Sequence, residues 1–382
     1  MRICYLLLSP TFGMHQYTAD LANRMVENHH PEGVDVHLVT TKGYMADRYS
    51  PAVQVHTPIR SKNTGLAWSS LNPAGLRQVQ RRIHQLRPDI VHFSGPHLGN
   101  ILLLAALRRT GIPTIHTIHD LDPHAGTGFG ALLPLWNQQV LRLADIILVH
   151  GQRYRDRLLA QDLCPERVVY TPLLHLFLSF TQTRKLVGQQ GFPNGRGVGQ
   201  GDQTKPVTVL FFGRLETYKG IDILLQAWSR WQEASPHPPT RLVFAGSGRI
   251  ETIWSAELPA GVELRNHRIG DKEAINLFQE SDLLVLPYMS ATQSALVGAA
   301  YAFGKPVLVT NSGALAEYVI PGETGFIVPE GDPAALARTL QQAVNDVGKL
   351  KQMGENGRAW YTCQRQQEWE TLDALYRRLA QT

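Results

Sequence analysis

The sequence lacks long apolar runs and has little cysteine. Its densest apolar run, at residues 101–107, is far shorter than the roughly 18 to 20 residues that a membrane-spanning helix needs. The start of the chain, MRICYLLLSP, has too short an apolar core for a signal peptide and precedes no small-residue cleavage site, so we interpret it as a buried strand. The three cysteines, Cys4, Cys164 and Cys363, have neither metal-binding nor redox spacing. We therefore expect a protein of the reducing cytoplasm.

Dense runs of Lys and Arg interleaved with aromatic residues are also missing, which argues against nucleic-acid binding. The net charge is +5, and all of the excess lies before residue 181. That part holds 17 Lys and Arg against 12 Asp and Glu, whereas the remainder holds 20 against 20. Two interpretations stay open: a mildly basic surface, or weak attraction to an anionic membrane or an anionic acceptor.

What the sequence does contain is an alternation of short apolar runs with amphipathic stretches, which predicts parallel α/β layers. We predict a first domain at residues 1–180 and a second at 206–359. Residues 181–205, rich in Gly and Gln, are predicted to be a linker or surface loop. Their GRGVGQG has no preceding strand or following helix and is not a dinucleotide motif. Two such domains imply a cleft, with ligands outside the carboxyl ends of the strands.

The strongest candidate site is the segment FFGRLETYKG at residues 211–220. A buried strand ends at Phe212, Gly213 lets the backbone turn, and Arg214 and Lys219 lie in the loop before the next helix. Two cations at the carboxyl end of a strand, beside a helix N-terminus, suit a diphosphate. The alternative is a pair of solvated loop charges.

Two further segments follow predicted strands of the second domain. After Pro287, Thr292 and Ser294 can cap a helix whose free N–H groups favour an anion, although an ordinary capped core helix has the same pattern. In AGSGR, Gly246 and Ser247 allow a ligand to approach the backbone closely, although a plain turn would look the same.

Histidines and aspartates cluster in HTIHDLDPH, at residues 116–124. The cluster suggests a metal site, but His116 and His119 are three positions apart and would point to opposite faces of a strand. We favour His119, with Asp120 beside it, as a residue that lines the cleft and contacts a sugar or stabilises charge. Structural hydrogen bonding remains the alternative.

In their order and spacing, these segments resemble a known family over nearly the whole chain. The matching segments are SPTFGMHQYTADLA, PDIVH, TIHD, ADIILVHG, GRL followed by KG, SDLLVLPY, AYAFGKPV and GETGFIVPEGDPAALA. They are similar to the retaining GT-B glycosyltransferases of family 4, in the group 1 glycosyltransferase family. The resemblance implies an α/β fold with two Rossmann-like domains that face each other across a cleft, the GT-B fold. It also implies that the last helix, within residues 360–382, packs back on the first domain.

The resemblance assigns roles to individual residues. Arg214 and Lys219 would hold the diphosphate of the donor, and His119 would lie near the transferred sugar. The nucleotide-sugar site would also include the N-terminal glycine turn and the base-lining loop: Gly13, Gly213, Gly246, Ser247, His267, Ile269, Thr292, Gln293 and Ser294. Such enzymes retain anomeric configuration, require no metal or other cofactor, and close their domains around the donor.

One departure from the family concerns two glutamates that normally bind the donor sugar and ribose. They are eight positions apart, and counting back from Gly304-Lys305-Pro306 their places hold Ala291 and Ala299. Hydrogen bonds to charged groups contribute about 1.5–3 kcal/mol each, so their loss matters. Either Gln293, Ser294 and backbone amides replace them, or the affinity for the donor is poor.

The resemblance implies transfer of a sugar from a UDP- or GDP-sugar to a glycan, a lipid-linked glycan or a small molecule, in cell-wall or polysaccharide biosynthesis. We expect a cytoplasmic enzyme with weak peripheral association at the inner face of the membrane. Because the glutamates are absent, a non-catalytic module that binds a sugar nucleotide or a partner is the main alternative. A sugar-nucleotide epimerase is the third interpretation, and it would act without an acceptor.

Overall fold

The computed structural model describes residues 1–28, 33–60, 70–122, 133–188, 206–234 and 237–381. The chain forms two compact units. The first unit comprises Met1–Arg184 and Gln366–Thr382, and the second unit comprises Lys185–Arg365.

The described part of the first unit is built on a parallel sheet in the order β3-β2-β1-β4-β5-β6-β7. Its strands are β1 (Arg2–Leu7), β2 (Asp35–Lys42), β3 (Gln54–Arg60), β4 (Ile90–Phe93), β5 (Thr114–Thr117), β6 (Ile146–Val149) and β7 (Val168–Tyr170). The central strands are rich in Ile, Val and Leu and buried throughout, as expected for a parallel sheet covered on both faces.

Except between β2 and β3, an α-helix connects the successive strands of this sheet. These helices are α1 (Phe12–Asn28), α2 (Pro73–Leu86), α3 (Asn100–Leu107), α4 (Leu133–Leu143) and α5 (Gln152–Leu159), followed by α6 (Phe180–Gly188). The sequence places their ends locally: Asn72 caps α2 by accepting a hydrogen bond from the Gly75 N–H at 3.2 Å, and Pro73 occupies the first turn.

The second unit repeats the same layering with the sheet order β10-β9-β8-β11-β12-β13, all pairs parallel. Its strands are β8 (Val207–Phe212), β9 (Thr240–Ala245), β10 (Val262–Arg265), β11 (Leu283–Leu286), β12 (Val307–Thr310) and β13 (Gly325–Val328). Its helices are α7 (Ile221–Ala234), α8 (Asp271–Glu280), α9 (Ala295–Ala302), α10 (Pro333–Val344) and the start of α11 (Val347–Ala380). The predicted α/β alternation with parallel strands is confirmed.

Both sheets have a topological switch point, where ligands of open α/β sheets bind. It lies between β1 and β4 in the first unit and between β8 and β11 in the second, because the connections from these strands run to opposite sides. The segments that follow β5, β8 and β11 carry most of the candidate site residues.

The sequence prediction missed three strands, and each of them is an edge strand. β3, β10 and β13 end the two sheets, and β3 and β10 are only half-buried, so they need no continuous apolar run. Periodicity therefore gave no signal for β3 and β10, whereas β13 is buried but only four residues long, too short for a clear pattern.

The predicted linker at residues 181–205 is wrong in its first part, because α6 extends to Gly188. Leu186 is buried, and the stretch TQTRKL contains good helix formers, which outweigh the nearby glycines. The rest of the predicted linker, residues 189–205 with GRGVGQG, lies outside the described residues.

The last helix begins at Val347, well before the predicted start near residue 360. Glycines at 348, 354 and 357 argued against a helix there. The structure shows why two of them are present: a Cβ on Gly354 would overlap the Gly304 carbonyl oxygen, and one on Gly357 would overlap the Tyr301 ring. Close packing at these two glycines compensates for their low helix propensity. The boundary between the two units falls inside α11.

Among the described residues, no helix has the length and apolarity required to cross a bilayer.

Candidate functional site

The turn after β8 brings a glycine and a lysine into contact. Gly213 has a φ of 127°, a conformation that favours glycine, and its N–H donates to the Ala245 carbonyl oxygen at 2.9 Å. A Cβ on Gly213 would lie 3.1 Å from the Nζ atom of Lys219. The absence of a side chain at this position therefore leaves room for the ammonium group above the backbone at the end of the strand.

Lys219 is a buried cation held by aromatic residues. Only 8% of its surface is exposed, and its Nζ donates to the hydroxyl of Tyr288 at 3.0 Å and lies 4.6 Å from the centre of that ring. Burial by itself lowers the pKa of Lys219, but Tyr288 and Tyr218 more than offset it, and the pKa lies above its usual value. The ammonium group is therefore charged at neutral pH and oriented before any ligand arrives.

Arg214 differs from Lys219 because it is exposed. Its Nη1 forms an ion pair with the carboxylate of Glu216 at 2.6 Å, and 69% of the side chain is accessible. An exposed ion pair contributes little, about 0–1 kcal/mol, so an anionic ligand can displace Glu216 at small cost. The turn thus offers one fixed and one movable positive charge.

The AGSGR turn after β9 packs directly on the Gly213 turn. A Cβ on Gly246 would overlap the Gly213 carbonyl oxygen, and a Cβ on Gly248 would overlap that of Leu215. The Leu215 N–H donates to the Ser247 carbonyl oxygen at 2.9 Å. These glycines bring two backbones together, so the predicted residues Gly246 and Ser247 lie beside Gly213.

The loop after β10, which contains His267 and Ile269, joins the same group of turns. The Asn266 side chain accepts from the Gly248 N–H at 3.0 Å, which ties this loop to the AGSGR turn. His267 is exposed and lies 2.9 Å from Glu273, whereas Ile269 is half-buried just before α8. An exposed imidazole beside a half-buried aliphatic side chain suits contact with a planar base.

The loop after β11 ends at Ser294, which is the N-cap of α9. Its hydroxyl accepts from the Leu296 N–H at 3.4 Å. Thr292 lies two residues earlier, is buried, and its carbonyl oxygen accepts from the Ala314 N–H at 2.9 Å. Gln293 lies between them and is half-buried. Leu296 would lie 3.8 Å from a Cβ on Gly213, so this loop adjoins the Lys219 turn.

Ala291 and Ala299 occupy confined positions. The Ala291 N–H donates to the hydroxyl of Ser312 at 3.1 Å, and a Cβ on Gly313 would overlap the Ala291 carbonyl oxygen. Ala299 is fully buried in α9. Neither position carries a side chain longer than a methyl group.

In the first unit, His119 follows the end of β5 by two residues and is buried. Its Nε2 lies 3.0 Å from the carbonyl oxygen of Ser94, which can only accept, so Nε2 carries the proton. The rings of Tyr17 and His150 surround it at centroid distances of 4.9 Å and 5.1 Å. The imidazole is thereby fixed in orientation and tautomer.

Burial lowers the pKa of His119, and the Ser94 carbonyl and the neighbouring Asp120 carboxylate offset this only in part. The ring is therefore neutral at pH 7. Asp120 is half-buried, and its carbonyl oxygen accepts from the Asn137 side chain at 3.1 Å.

Gly13 lies in the first turn of α1, one turn before Tyr17. A Cβ on Gly13 would meet nothing within 4 Å in the described residues, so the local fold does not require glycine there. Met14, its neighbour, would contact a Cβ on Gly95, and Thr18 lies 2.7 Å from the hydroxyl of Ser94. The start of α1 therefore adjoins the Ser94 segment that binds His119.

His116 belongs to the core and has partners different from those described for His119. Its Nε2 lies 3.0 Å from the amide nitrogen of Asn100, and its ring stacks on Phe93 with an interplanar angle of 14°. Asp122 forms an ion pair with Arg157 at 2.9 Å. His124, the other member of the suggested metal cluster, lies outside the described residues. Within the described part of the chain, no group of three or more His, Cys, Asp or Glu could hold a metal ion.

The structure adds residues that the sequence argument did not single out: Tyr218 and Tyr288 around Lys219, Ser312 under Ala291, and Tyr17 and Ser94 around His119. Tyr288 could have been found, because it lies two residues after the end of β11 at the switch point. Tyr17, at mid-helix, had no such signal.

Comparison with known proteins identifies the family. Residues 12–173 match the model for the glycosyl transferase 4-like domain, and residues 199–360 match the model for glycosyl transferases group 1. The chain belongs to the group 1 glycosyltransferases. This family transfers sugars, and in this glycosyltransferase the second match contains the whole Gly213–Lys219 turn.

Relatives and solved structures agree with this assignment. The glycosyltransferase is 27% identical to the D-inositol 3-phosphate glycosyltransferase of Corynebacterium diphtheriae, over 90% of this chain and 84% of that protein. It is 26% identical to the enzyme of the same name from Streptomyces scabiei, over 86% of this chain and 77% of that protein.

Among solved structures, sucrose-phosphate synthase from Thermosynechococcus elongatus superimposes with a TM-score of 0.75 and 18% identity, over 99% of both chains. Anabaena HepE in complex with UDP-glucose superimposes with a TM-score of 0.65 and 16% identity, covering 98% of this chain and all of HepE. At these identities the likeness shows the fold alone: α/β with two Rossmann-like domains, the GT-B fold.

Proposed function

We propose that this glycosyltransferase moves a sugar from a nucleotide-sugar donor to a hydroxyl acceptor with retention of anomeric configuration and without a catalytic metal. The observation that carries the proposal is the buried, charged Lys219, which lies beside a glycine at the switch point of the second sheet. A preorganised cation at the carboxyl end of a strand suits the diphosphate of such a donor.

In this reaction the bond between the anomeric carbon and the diphosphate oxygen breaks, and the nucleoside diphosphate leaves with the electron pair. The acceptor oxygen forms the new glycosidic bond, and its proton passes to the departing diphosphate oxygen. Lys219 and Arg214 would stabilise the charge that develops on the diphosphate, the role that a metal ion has in other enzymes. Lys219 would stabilise this charge without rearrangement, whereas Arg214 would first have to break its ion pair with Glu216.

His119 would act on the transferred sugar as a neutral group. Burial keeps the ring uncharged, and its Nε2–H is held by Ser94. We therefore expect it to contribute hydrogen bonding and shape at the sugar rather than a positive charge.

The remaining contacts to the donor would come from the loops that surround Gly213. His267 and Ile269 would contact the base, and Gln293, Ser294 and the first amides of α9 would replace the two glutamates that the family usually carries. Gly13 would let the donor approach the start of α1.

UDP-sugars are the first donors to test, since the similar fold of HepE was solved with UDP-glucose. Phosphorylated polyols are the first acceptors, because relatives at 26–27% identity are named D-inositol 3-phosphate glycosyltransferases. Glycans and lipid-linked glycans follow.

The experiment combines a panel of UDP- and GDP-sugars with these acceptors, with and without EDTA, and NMR of the product's anomeric proton at early times. We expect turnover with one donor class, unchanged by EDTA, and a product with the donor's anomeric configuration. Inversion would contradict the retaining mechanism, and loss of activity in EDTA would contradict metal independence.

A non-catalytic module is the second candidate, favoured by one observation: alanines stand at 291 and 299, where the family usually carries glutamates, and Ala299 is fully buried. Such a module would bind a nucleotide sugar without turnover. Release of the sugar without an acceptor would instead point to hydrolysis, and a changed sugar on the nucleotide would point to an epimerase.

A further inference from the structure

A continuous line of hydrogen bonds crosses the core of the first unit, from α11 to α1. The hydroxyl of Tyr5 donates to that of Tyr376 at 3.2 Å, and the Tyr376 hydroxyl lies 2.6 Å from Nδ1 of His92. Nε2 of His92 lies 2.8 Å from the hydroxyl of Thr117, which lies 3.1 Å from that of Tyr17. All five side chains are buried, with at most 3% of their surface exposed.

The protonation of His92 gives this line a direction. Burial lowers the pKa of His92 to about 3, and the neighbouring histidines 116 and 119 add to the effect, so the ring is neutral. One of its nitrogens therefore donates and the other accepts. Because Tyr5 donates to Tyr376, the proton of Tyr376 is available for Nδ1, and the Nε2–H of His92 then donates to Thr117. The hydroxyl of Thr117 then donates to the hydroxyl of Tyr17.

The line ends at the residue that packs against His119. The edge of the Tyr17 ring contacts the rings of His119 and His150 at centroid distances of 4.9 Å and 5.0 Å. The hydrogen bond to Thr117 fixes the position of the far end of the Tyr17 ring, and the ring surface in turn limits how the imidazole of His119 can tilt. Gly13 lies one helical turn before Tyr17 on the same face of α1.

The other end of the line is anchored independently. Glu368, on the same part of α11 as Tyr376, forms an ion pair with Arg24 of α1 at 2.8 Å, and both side chains are largely buried. The Arg24 guanidinium also lies over the ring of Trp369, 5.5 Å from the ring centre. The helix that carries Tyr376 is therefore fixed on the first unit at two places.

Stability alone is a poor explanation for such an arrangement. Apolar residues of similar volume fill a core as well as a buried polar network does, or better. A fully satisfied polar network instead specifies one geometry for the groups that it joins. The geometry specified here is that of the ring beside His119.

We propose that Tyr376 is a positioning residue that acts through His92, Thr117 and Tyr17 to hold the ring of His119 in its working orientation. This proposal rests on the proposed function, since it assumes that His119 contacts the transferred sugar. Residues from the end of the chain thereby complete the surroundings of a candidate site residue in the first unit.

The test begins with Tyr376→Phe, which removes one hydroxyl and leaves the ring. We expect kcat to fall roughly 3- to 10-fold, the effect of one hydrogen bond, with little change in the melting temperature. Tyr301→Phe is the matched control, because Tyr301 is equally buried and its hydroxyl lies 2.8 Å from that of Thr324 in the second unit. We expect kcat of this control to match that of the wild type.

A pair of variants at Thr117 checks that the hydroxyl, rather than the volume, matters. Thr117→Val keeps the shape and breaks the line, whereas Thr117→Ser keeps the hydroxyl. We expect the first to reproduce the loss of Tyr376→Phe and the second to restore most of kcat. Equal activity of the two variants would overturn the proposal.

The decisive comparison repeats Tyr376→Phe in a His119→Ala background. If Tyr376 acts through His119, its effect on kcat disappears there, as expected for coupled residues. The same fold-loss in both backgrounds would show a general structural role and overturn the proposal.

A spectroscopic readout separates this proposal from the proposed function. ¹⁵N NMR of the imidazole side chains reports the tautomer and ordering of His119 without any turnover. We expect Tyr376→Phe to shift or broaden the His119 signals and Tyr301→Phe to leave them unchanged. Unchanged His119 signals in Tyr376→Phe would overturn the positioning role even in an inactive protein. If Tyr376→Phe changes the His119 signals but the wild type transfers no sugar, only the proposed function would be refuted.

Discussion

The Nζ atom of Lys219 lies 3.1 Å from the point where a Cβ of Gly213 would stand. The two residues are six positions apart, yet the chain turns so that the ammonium group covers the glycine backbone. The hydroxyl and the ring of Tyr288 contact the same ammonium group. Glycine at 213 and lysine at 219 are thus one structural feature, and a change in either should affect the other.

Gly213→Ala should combine backbone strain with displacement of Lys219. A non-glycine residue at a φ of 127° is destabilised by about 1–3 kcal/mol, and the new Cβ also pushes against Nζ. We expect a lower unfolding free energy in denaturant titrations and weaker binding of nucleoside diphosphates. Gly322→Ala is the control, because Gly322 has a φ of 80° but open space around it. Gly322→Ala should lower the unfolding free energy without changing the binding of nucleoside diphosphates. Equal effects of both variants on binding would refute the structural link between Gly213 and Lys219.

Arg214 and Glu216 should act on donor binding in opposite directions. Arg214→Ala removes a movable charge, and we expect kcat/KM for the donor to fall on the order of 10- to 100-fold. Glu216→Gln removes the competing carboxylate of an exposed ion pair, so binding should stay equal or tighten a few-fold. Titration of each variant with the nucleoside diphosphate checks both directions. Weaker binding in Glu216→Gln would show that the pair orients Arg214 instead of competing with the ligand.

Ser294→Ala should weaken both the helix and the donor site. Loss of an N-cap lowers the unfolding free energy by about 1 kcal/mol, and the first amides of α9 would lose their orientation. Asp332→Ala is the control, because Asp332 caps α10 by accepting from the N–H groups of Ala334 and Ala335. It should cost about the same stability and leave nucleotide affinity unchanged. If the two variants bind nucleotide equally well, Ser294 has only a capping role.

Acid should destabilise the first unit. Burial lowers the pKa of His15 and His97 to about 4 and that of His92 and His116 to about 3. These rings stay neutral when folded, whereas unfolded imidazoles take up protons below about pH 6.5. Their stabilising effect is complete above that pH and is lost as the pH falls towards 4 for His15 and His97 and towards 3 for His92 and His116, by roughly 2 kcal/mol for each ring at about pH 5.

The measurement is denaturant unfolding at about pH 7 and about pH 5, with hydrogen exchange to locate the loss. We expect amides of β4 and β5 to lose protection before those of β8 and β11. A stability that does not change between the two pH values would contradict the burial of neutral histidines.

The sequence predicted the fold well where burial made its pattern continuous. The apolar runs at residues 90–93 and 207–212 predict strands, and β4 and β8 have these same bounds, because both are central strands without exposed residues. It failed at the edge strands β3 and β10, whose half-exposed residues have no apolar run, at the four-residue edge strand β13, and at the start of α11, where close packing on Gly304 and Tyr301 overrides the low helix propensity of glycine.

For the candidate site, local sequence indicated residues that follow strand ends, such as Lys219 and His119. It could not indicate Tyr376, which reaches His92 from 284 positions along the chain. It also could not show that Lys219 is buried and Arg214 exposed, since the burial of Lys219 depends on Tyr288, which follows the neighbouring strand β11. Long-range packing therefore decides the part of the site that periodicity and motif spacing leave open.

The most direct test of the account compares the binding of nucleosides and nucleoside diphosphates to Lys219→Met and Lys305→Met by calorimetry, with uridine and guanosine and their diphosphates. Lys305 is the matched control, since it is also 8% exposed and donates to a backbone carbonyl, that of Gln279, at 3.0 Å. We predict that Lys219→Met weakens diphosphate binding roughly 10- to 100-fold, leaves nucleoside binding unchanged, and that Lys305→Met affects neither. Wild-type diphosphate affinity in a folded Lys219→Met variant would contradict the claim that Lys219 holds the donor.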